Sequence, residues 1–210
     1  MGSLADLLRG YQFNSQTRLV LLDDYLSGLS FLHEKGIIHR DIKPNNLGIT
    51  SLNDPAGVIL DLDSAIMMST STDHHAGTLP YLAPEVVSLK ETGIGSYGRA
   101  VDVWALGLSV WVMDTTQHIR WTTFEDGVVS KSDMVNLGAY RTFNVKIGQR
   151  IQDAPDSVTA EVLQLAVKMI QYKAHDRITT SEASSVARML RKNCKGQLVP
   201  KSGVKRSYEA

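Results

Sequence analysis

A chain of 210 residues with 22 basic and 22 acidic side chains carries a formal net charge of zero, so no global field draws it to nucleic acid or an anionic membrane surface. Its 43% hydrophobic content is ample for one folded core, yet no run approaches the roughly 18 apolar residues of a membrane span. Cys194 is the lone cysteine and no basic-then-apolar leader opens the chain, which predicts a reducing, intracellular setting, cytoplasm or nucleus.

Ser3 ahead of Leu4, Leu7 and Leu8, with Asp6 in the first turn, predicts a short capped helix. From Thr17 onward Leu19, Leu22, Leu26, Leu29 and Leu32 recur at three- and four-residue steps, one face of a helix that Gly36 ends. Ile37-Ile38 reads as a short strand, from which a loop leaves carrying His39-Arg40-Asp41-Ile42-Lys43-Pro44-Asn45-Asn46. Leu47 to Ile49 and Val58 to Leu60, around Asn53-Asp54-Pro55-Ala56-Gly57, predict a β-hairpin with Asp61 at its far end. Residues 64–80 are rich in Ser, Thr and His without periodicity, which predicts a long functional loop. Asp102 to Met113 is apolar nearly all round and predicts a helix buried in mid-domain. Residues 119–156 are mixed, with a short helix expected near Asp133 to Leu137. Val158, Val162, Leu165, Ala166 and Met169 mark another helix, and the capping box Thr179-x-x-Glu182 opens a last one through Leu190. After Lys192 the chain turns to Lys, Gly and Ser, so residues 193–210 are expected to form a disordered basic tail.

The loop after Ile38 places an acid, a cation and an amide at fixed offsets: Asp41, Lys43 and Asn46. Phosphoryl transfer to a hydroxyl asks for that set. A carboxylate takes the hydroxyl proton, an ammonium neutralises charge on the moving group, and an amide oxygen helps hold Mg²⁺. Asp61, closing an apolar strand, is set to be a second oxygen ligand. His39 reads as a packed core histidine, since the adjacent carboxylate already has the proton-carrying task. His74 and His75, without a spaced third ligand, read as part of a solvated loop. Lys201, Lys205 and Arg206 read as a solvated tail.

His39-Arg40-Asp41 followed by Asn46 resembles the catalytic loop H-R-D-x-x-x-x-N of eukaryotic protein kinases, and three further signatures follow in order. Asp61-Leu62-Asp63 is similar to D-F-G, with Asp63 where the family has a glycine that permits unusual backbone angles. Gly77-Thr78-Leu79-Pro80-Tyr81-Leu82-Ala83-Pro84-Glu85 resembles G-T-x-x-Y-x-A-P-E, and Asp102-Val103-Trp104-Ala105-Leu106-Gly107 resembles D-x-W-x-x-G. The resemblance runs from Gly2 to about Leu190 and covers the large lobe only. Gly10 stands alone, so no Gly-rich phosphate loop G-x-G-x-x-G, strand lysine or helix glutamate is expected in these residues, and Gly2-Ser3-Leu4 is similar to the stretch just past the hinge between the lobes. The implied fold is mainly α: a kinase-like C-terminal lobe over residues 1–192, with short β-hairpins at the cleft and the N-terminal lobe absent.

The resemblance implies a protein serine/threonine kinase that uses ATP and Mg²⁺ on protein substrates. Asp41 is then the catalytic base, Lys43 the phosphate-facing cation, and Asn46 and Asp61 the Mg²⁺ ligands. Thr78 bonds Asp41 and Lys43, Tyr81 lies in the substrate-seating segment, and His39, Asp102 and the pair Glu85–Arg177 support the site. Lys43 with Thr78 resembles the Ser/Thr branch. Arg40 has two open readings: it awaits a phosphate on Ser69, Thr70, Ser71 or Thr72, or those are plain loop hydroxyls. Without the small lobe, weak ATP affinity, little turnover and an apolar face open to a partner are expected of these residues alone. The alternative is a truncated or degenerate kinase serving as a protein-binding module, which Asp63 favours. A small-molecule phosphotransferase lacks counterparts of Ala83-Pro84-Glu85 and Arg177.

Overall fold

Ser3 does what its position predicts. In the computed structural model, which describes residues 2–125, 128–194 and 204–205, its hydroxyl accepts the Asp6 N–H and opens α1 (Leu4–Leu8). Asn14 caps α2 (Ser15–Glu34) by accepting the Thr17 N–H at 2.8 Å. Leu19, Leu22, Leu26 and Leu29 are buried as their spacing demands, and so are Leu21 and Tyr25, so α2 is enclosed on more than one face. Just past its end Gly36 takes the left-handed backbone (φ 74) of a helix stop.

Pro84 occupies the first turn of α3 (Pro84–Thr92), where a missing N–H costs nothing. In α4 (Ala100–Thr115) every residue from Val101 to Asp114 is buried, the all-round burial expected. The remaining helices are α5 (Leu137–Gln152), α6 (Ser157–Met169) and α7 (Thr180–Cys194). Helix α2 packs on α7, α6 and α4, while α6 also meets α4, α5 and α7. Gly107 lets α4 approach the end of α6: a Cβ there would stand 2.8 Å from Ile170 Cγ2 and 3.0 Å from Met169 Cβ. The capping box holds, Thr179 and Glu182 exchanging hydrogen bonds ahead of α7.

Four expectations need correction. The short helix near Asp133 to Leu137 is instead the sixteen-residue α5, which begins where that segment ends, with Asn136 accepting the Ala139 N–H as its cap. Its buried face is Ala139, Tyr140, Phe143 and Ile147; Arg141 and Lys146 between them mask the period. Residues 64–80 are not free of regular structure. Ile66–Met67 pairs antiparallel with Ile37–Ile38, and Thr70–Ser71 with Tyr97–Gly98. The predicted hairpin is one strand short: Leu47–Ile49 pairs with Gly57–Ile59 on one side and with Gly2–Ser3 on the other. A further hairpin joins Trp121–Glu125 and Val128–Ser132. Of the expected tail, Asn193 and Cys194 finish α7 and Val204–Lys205 pairs with Tyr11–Gln12. The rest of that expectation falls outside the described residues.

The core is continuous from Leu4 to Leu190 and has an aromatic layer against α4. Trp104 stacks on Trp121 with centroids 5.9 Å apart, and Phe143 meets both Trp111 and Trp121. Trp121 Nε1 donates to the Pro80 carbonyl at 3.0 Å, which ties this layer to the segment after Thr78. Among the described residues no helix is long and apolar enough to cross a membrane.

Candidate active site

Asp102, in the first turn of α4, shapes the loop that follows Ile38. Its Oδ2 accepts the His39 N–H at 2.9 Å and its Oδ1 the Arg40 N–H at 2.8 Å. Those two bonds hold Arg40 in a left-handed backbone (φ 71), a conformation that costs a non-glycine residue energy unless its surroundings impose it. His33, near the end of α2, completes the grip: Nε2 lies 2.9 Å from Asp102 Oδ2 and Nδ1 lies 3.1 Å from Thr180 Oγ1. The sequence reading missed His33, whose signal was a histidine at the end of a helix otherwise closed by leucines.

His39 is fully buried, as expected of a packed histidine. Its Nδ1 accepts the Asp41 N–H at 3.3 Å, so its Nε2 is the donor to the Leu60 carbonyl at 3.0 Å. The ring thus clamps the residue before Asp61 to the loop bearing Asp41. The Leu60 N–H also donates to the Asn46 carbonyl at 2.9 Å, so the stretches carrying residues 41, 46 and 61 are bonded neighbours.

At the centre lies a closed set of bonds. Asp41 Oδ1 accepts from Thr78 Oγ1 at 2.7 Å, and Asp41 Oδ2 from Lys43 Nζ at 2.7 Å and from Asn46 Nδ2 at 3.1 Å. Lys43 Nζ also donates to Thr78 Oγ1 at 2.8 Å, and Asn46 Nδ2 to the Asp41 carbonyl at 2.9 Å. The Asp41 and Lys43 side chains keep 13% and 22% of their exposure, enough for a ligand to reach them. The Asn46 amide nitrogen is committed to Asp41, which leaves its Oδ1 as the atom for a cation. Below Asp41 a cavity of about 20 Å³, room for a water molecule, is walled by Thr78, Tyr81, Leu82 and Tyr97. Burial pushes the Tyr81 phenol up to about 12, so it stays protonated through neutral pH.

Asp61 is exposed and takes the left-handed backbone (φ 62); its Oδ1 accepts the Asp63 N–H at 3.3 Å. The backbone strain expected at Asp63 falls elsewhere. The position with the unusual φ is Asp61, not Asp63, so an aspartate at 63 imposes no left-handed strain. Leu62 is 52% exposed.

Farther out, Arg177 grips Glu85 with both arms of its guanidinium, at 2.5 and 2.7 Å, and donates to the carbonyls of Gln171, Tyr172 and Ala100. It also lies over the Trp104 ring at 5.0 Å. The start of α3, the start of α4 and the turn before α7 meet at this one side chain. Arg40, beside Asp41, donates from Nε to the Ser64 carbonyl at 2.5 Å and from Nη1 to Asp73 Oδ2 at 2.6 Å. Asp73 is the second residue that the sequence reading missed.

The expectation that the chain carries no G-x-G-x-x-G is corrected: Gly93-Ile94-Gly95-Ser96-Tyr97-Gly98 has that spacing. It joins the left-handed stop of α3 at Gly93 to the strand Tyr97–Gly98, rather than linking a strand to a helix start as a phosphate-binding turn does.

Residues 1–187 match the family model described as the protein kinase domain. A putative mitogen-activated protein kinase 14C of Drosophila melanogaster is 26% identical over 191 residues, 83% of this chain and 52% of that protein. The serine/threonine-protein kinase cds1 of Schizosaccharomyces pombe is 32% identical over 188 residues, 87% of this chain and 38% of that protein. The calcium/calmodulin-dependent protein kinase type II alpha chain of Drosophila melanogaster is 30% identical over 171 residues, 77% and 28% of the two chains. The chain therefore spans about half the length, or less, of these curated relatives.

Proposed function

This chain belongs to the protein kinase family, and on that premise we propose that it provides the catalytic residues for transferring the γ-phosphoryl group of ATP to serine or threonine hydroxyls of proteins. The observation that carries the reading is the closed set of bonds joining Asp41, Lys43, Asn46 and Thr78. Asp41 takes the proton of the incoming hydroxyl. Its own position is set by Thr78 on one oxygen and by Lys43 and Asn46 on the other, so the acceptor stays aimed without reorganisation. Lys43 lies 2.7 Å from that carboxylate and balances negative charge arriving beside it.

Mg²⁺ and ATP fit the donor set. Asn46 Oδ1 and the exposed Asp61 carboxylate are hard oxygen donors on bonded neighbouring stretches. Among the described residues no three His, Cys, Asp or Glu side chains gather. Asn46 and Asp61 would hold a Mg²⁺ at this place, and the ion would supply countercharge to the phosphates. When bound, ATP supplies the phosphoryl group. A protein partner at an exposed apolar surface belongs to the same reading, supported by exposed Leu62, Met67 and Met68.

The test is phosphoryl transfer from labelled ATP to serine and threonine peptides. Slow transfer by the chain is expected, falling by about 10²-fold or more in Asp41→Asn. Transfer that survives this substitution contradicts the role given to Asp41. Nucleotide binding with no transfer under any condition favours the protein-binding module.

A further inference from the structure

Arg40 decides between the two readings its sequence position leaves open. We propose that Asp73 is a positioning residue: its carboxylate occupies the place beside Arg40 that a loop phosphate would take, and so orders residues 64–80 in the unphosphorylated chain. The functional consequence, presentation of Thr78 to Asp41, rests on the kinase reading; the ordering itself does not.

The Arg40 side chain is only 10% exposed, so a guanidinium there needs an anion. Asp73 supplies it at 2.6 Å, a charge-assisted hydrogen-bond length. The bond is part of a frame. Asp73 Oδ1 accepts the His75 N–H at 3.0 Å, and the Asp73 N–H donates to Ser71 Oγ at 3.1 Å. Tyr97 Oη donates to the Asp73 carbonyl at 2.5 Å and lies 3.5 Å from Arg40 Nη1. Tyr97 comes from the strand that pairs with Thr70–Ser71, so the anion, the cation and both sides of the strand pair brace one another. The His75 N–H, and after it Arg40, hold the Asp73 carboxyl below its ordinary range, which agrees with a settled ion pair.

The same frame leaves little for a phosphate to do. Ser71 is buried in the strand pair. A phosphate on Ser69, Thr70 or Thr72 that came to Arg40 Nη1 would meet Asp73, a charge of its own sign. Arg40 Nε and Nη1 are already engaged. Five residues after Asp73 the chain delivers Thr78 Oγ1 to Asp41, so the frame sets where that hydroxyl sits.

The experiment is hydrogen exchange on the full chain, produced without kinases and shown by intact mass to carry no phosphate, as wild type, Asp73→Asn and Asp73→Glu. Asp73 is half-exposed, so both variants are expected to fold, and far-UV melting checks it. Protection of amides 71–78 is expected in the unphosphorylated wild type. Their exchange should rise about tenfold or more in Asp73→Asn and fall back part of the way in Asp73→Glu, with melting unchanged in both. Equal exchange in wild type and Asp73→Asn, or protection only after a phosphate is added, overturns the proposal. A protected loop without phosphoryl transfer leaves this proposal standing and removes the kinase reading; transfer with an unprotected loop does the reverse.

Discussion

Arg177 meets Glu85 with its own side chain fully enclosed, whereas Arg40 meets Asp73 with the acid side chain 48% exposed. The first pair belongs to a scaffold that closes its charges in. Asp114, itself buried, takes Arg18 at 3.1 Å and Arg150 at 2.8 Å, tying α2, α4 and α5 together, and Arg18 also donates to Thr159 on α6. The second pair belongs to a segment held by two-residue strands. A buried pair cannot lose one member without stranding a charge out of water, while a half-exposed pair is screened by solvent. The two regions meet where Thr78 Oγ1 donates to Asp41 Oδ1.

Substitutions separate the regions by size of effect. Arg177→Ala removes the enclosed partner of Glu85 and is expected to cost about 3–5 kcal/mol, read as a lower midpoint in urea unfolding; a loss under about 1 kcal/mol would place that pair in the exposed class. Gly107→Ala asks the same question of packing. Its new methyl meets Ile170 and Met169, and an expected cost of about 1–3 kcal/mol appears in the same unfolding curve. An unchanged curve would show that α4 and α6 can part freely. Asn14→Ala deletes the cap of the central helix and should cost about 1 kcal/mol, visible as a smaller drop in thermal midpoint.

The loop pair responds to pH instead. Because the folded-state carboxyl of Asp73 is held below its ordinary value, its contribution is complete at neutral pH and down to about pH 4. It fades only as the pH falls further, through the lowered value. Carboxyl-carbon NMR should therefore give Asp73 a midpoint below the usual aspartate range, returning toward that range in Arg40→Ala. A midpoint at the ordinary value in wild type would dissolve the contrast between a paired and a merely nearby acid.

Much of this was legible in the residues, for physical reasons that differ by place. The leucine spacing of α2 and the all-apolar run of α4 are long enough to average out local exceptions. Asp41, Lys43 and Asn46 lie within six residues, so a single loop brings them together without help from distant folding. What stayed hidden depends on long-range contact. The strand pairs of residues 66–67 and 70–71 are too short to carry a period, and Asp73 is one acid among loop residues until the fold sets it against Arg40. The face of α5 is interrupted by Arg141, Lys146 and Arg150, and only Trp104, Trp111 and Trp121 across from it reveal why Tyr140 and Phe143 are spaced as they are. The left-handed backbone of Asp61 is likewise a product of its setting; the residue type pointed attention to Asp63 instead.

The most direct measurement is a titration of the chain with ATP, with and without Mg²⁺, followed through its backbone amide resonances. Shifts centred on residues 41–46 and 60–63 that appear only with the metal, weak in affinity and lost in Asp61→Asn, are the predicted result. Shifts indifferent to Mg²⁺, or gathered away from those two stretches, would contradict a shared metal–nucleotide site at this loop.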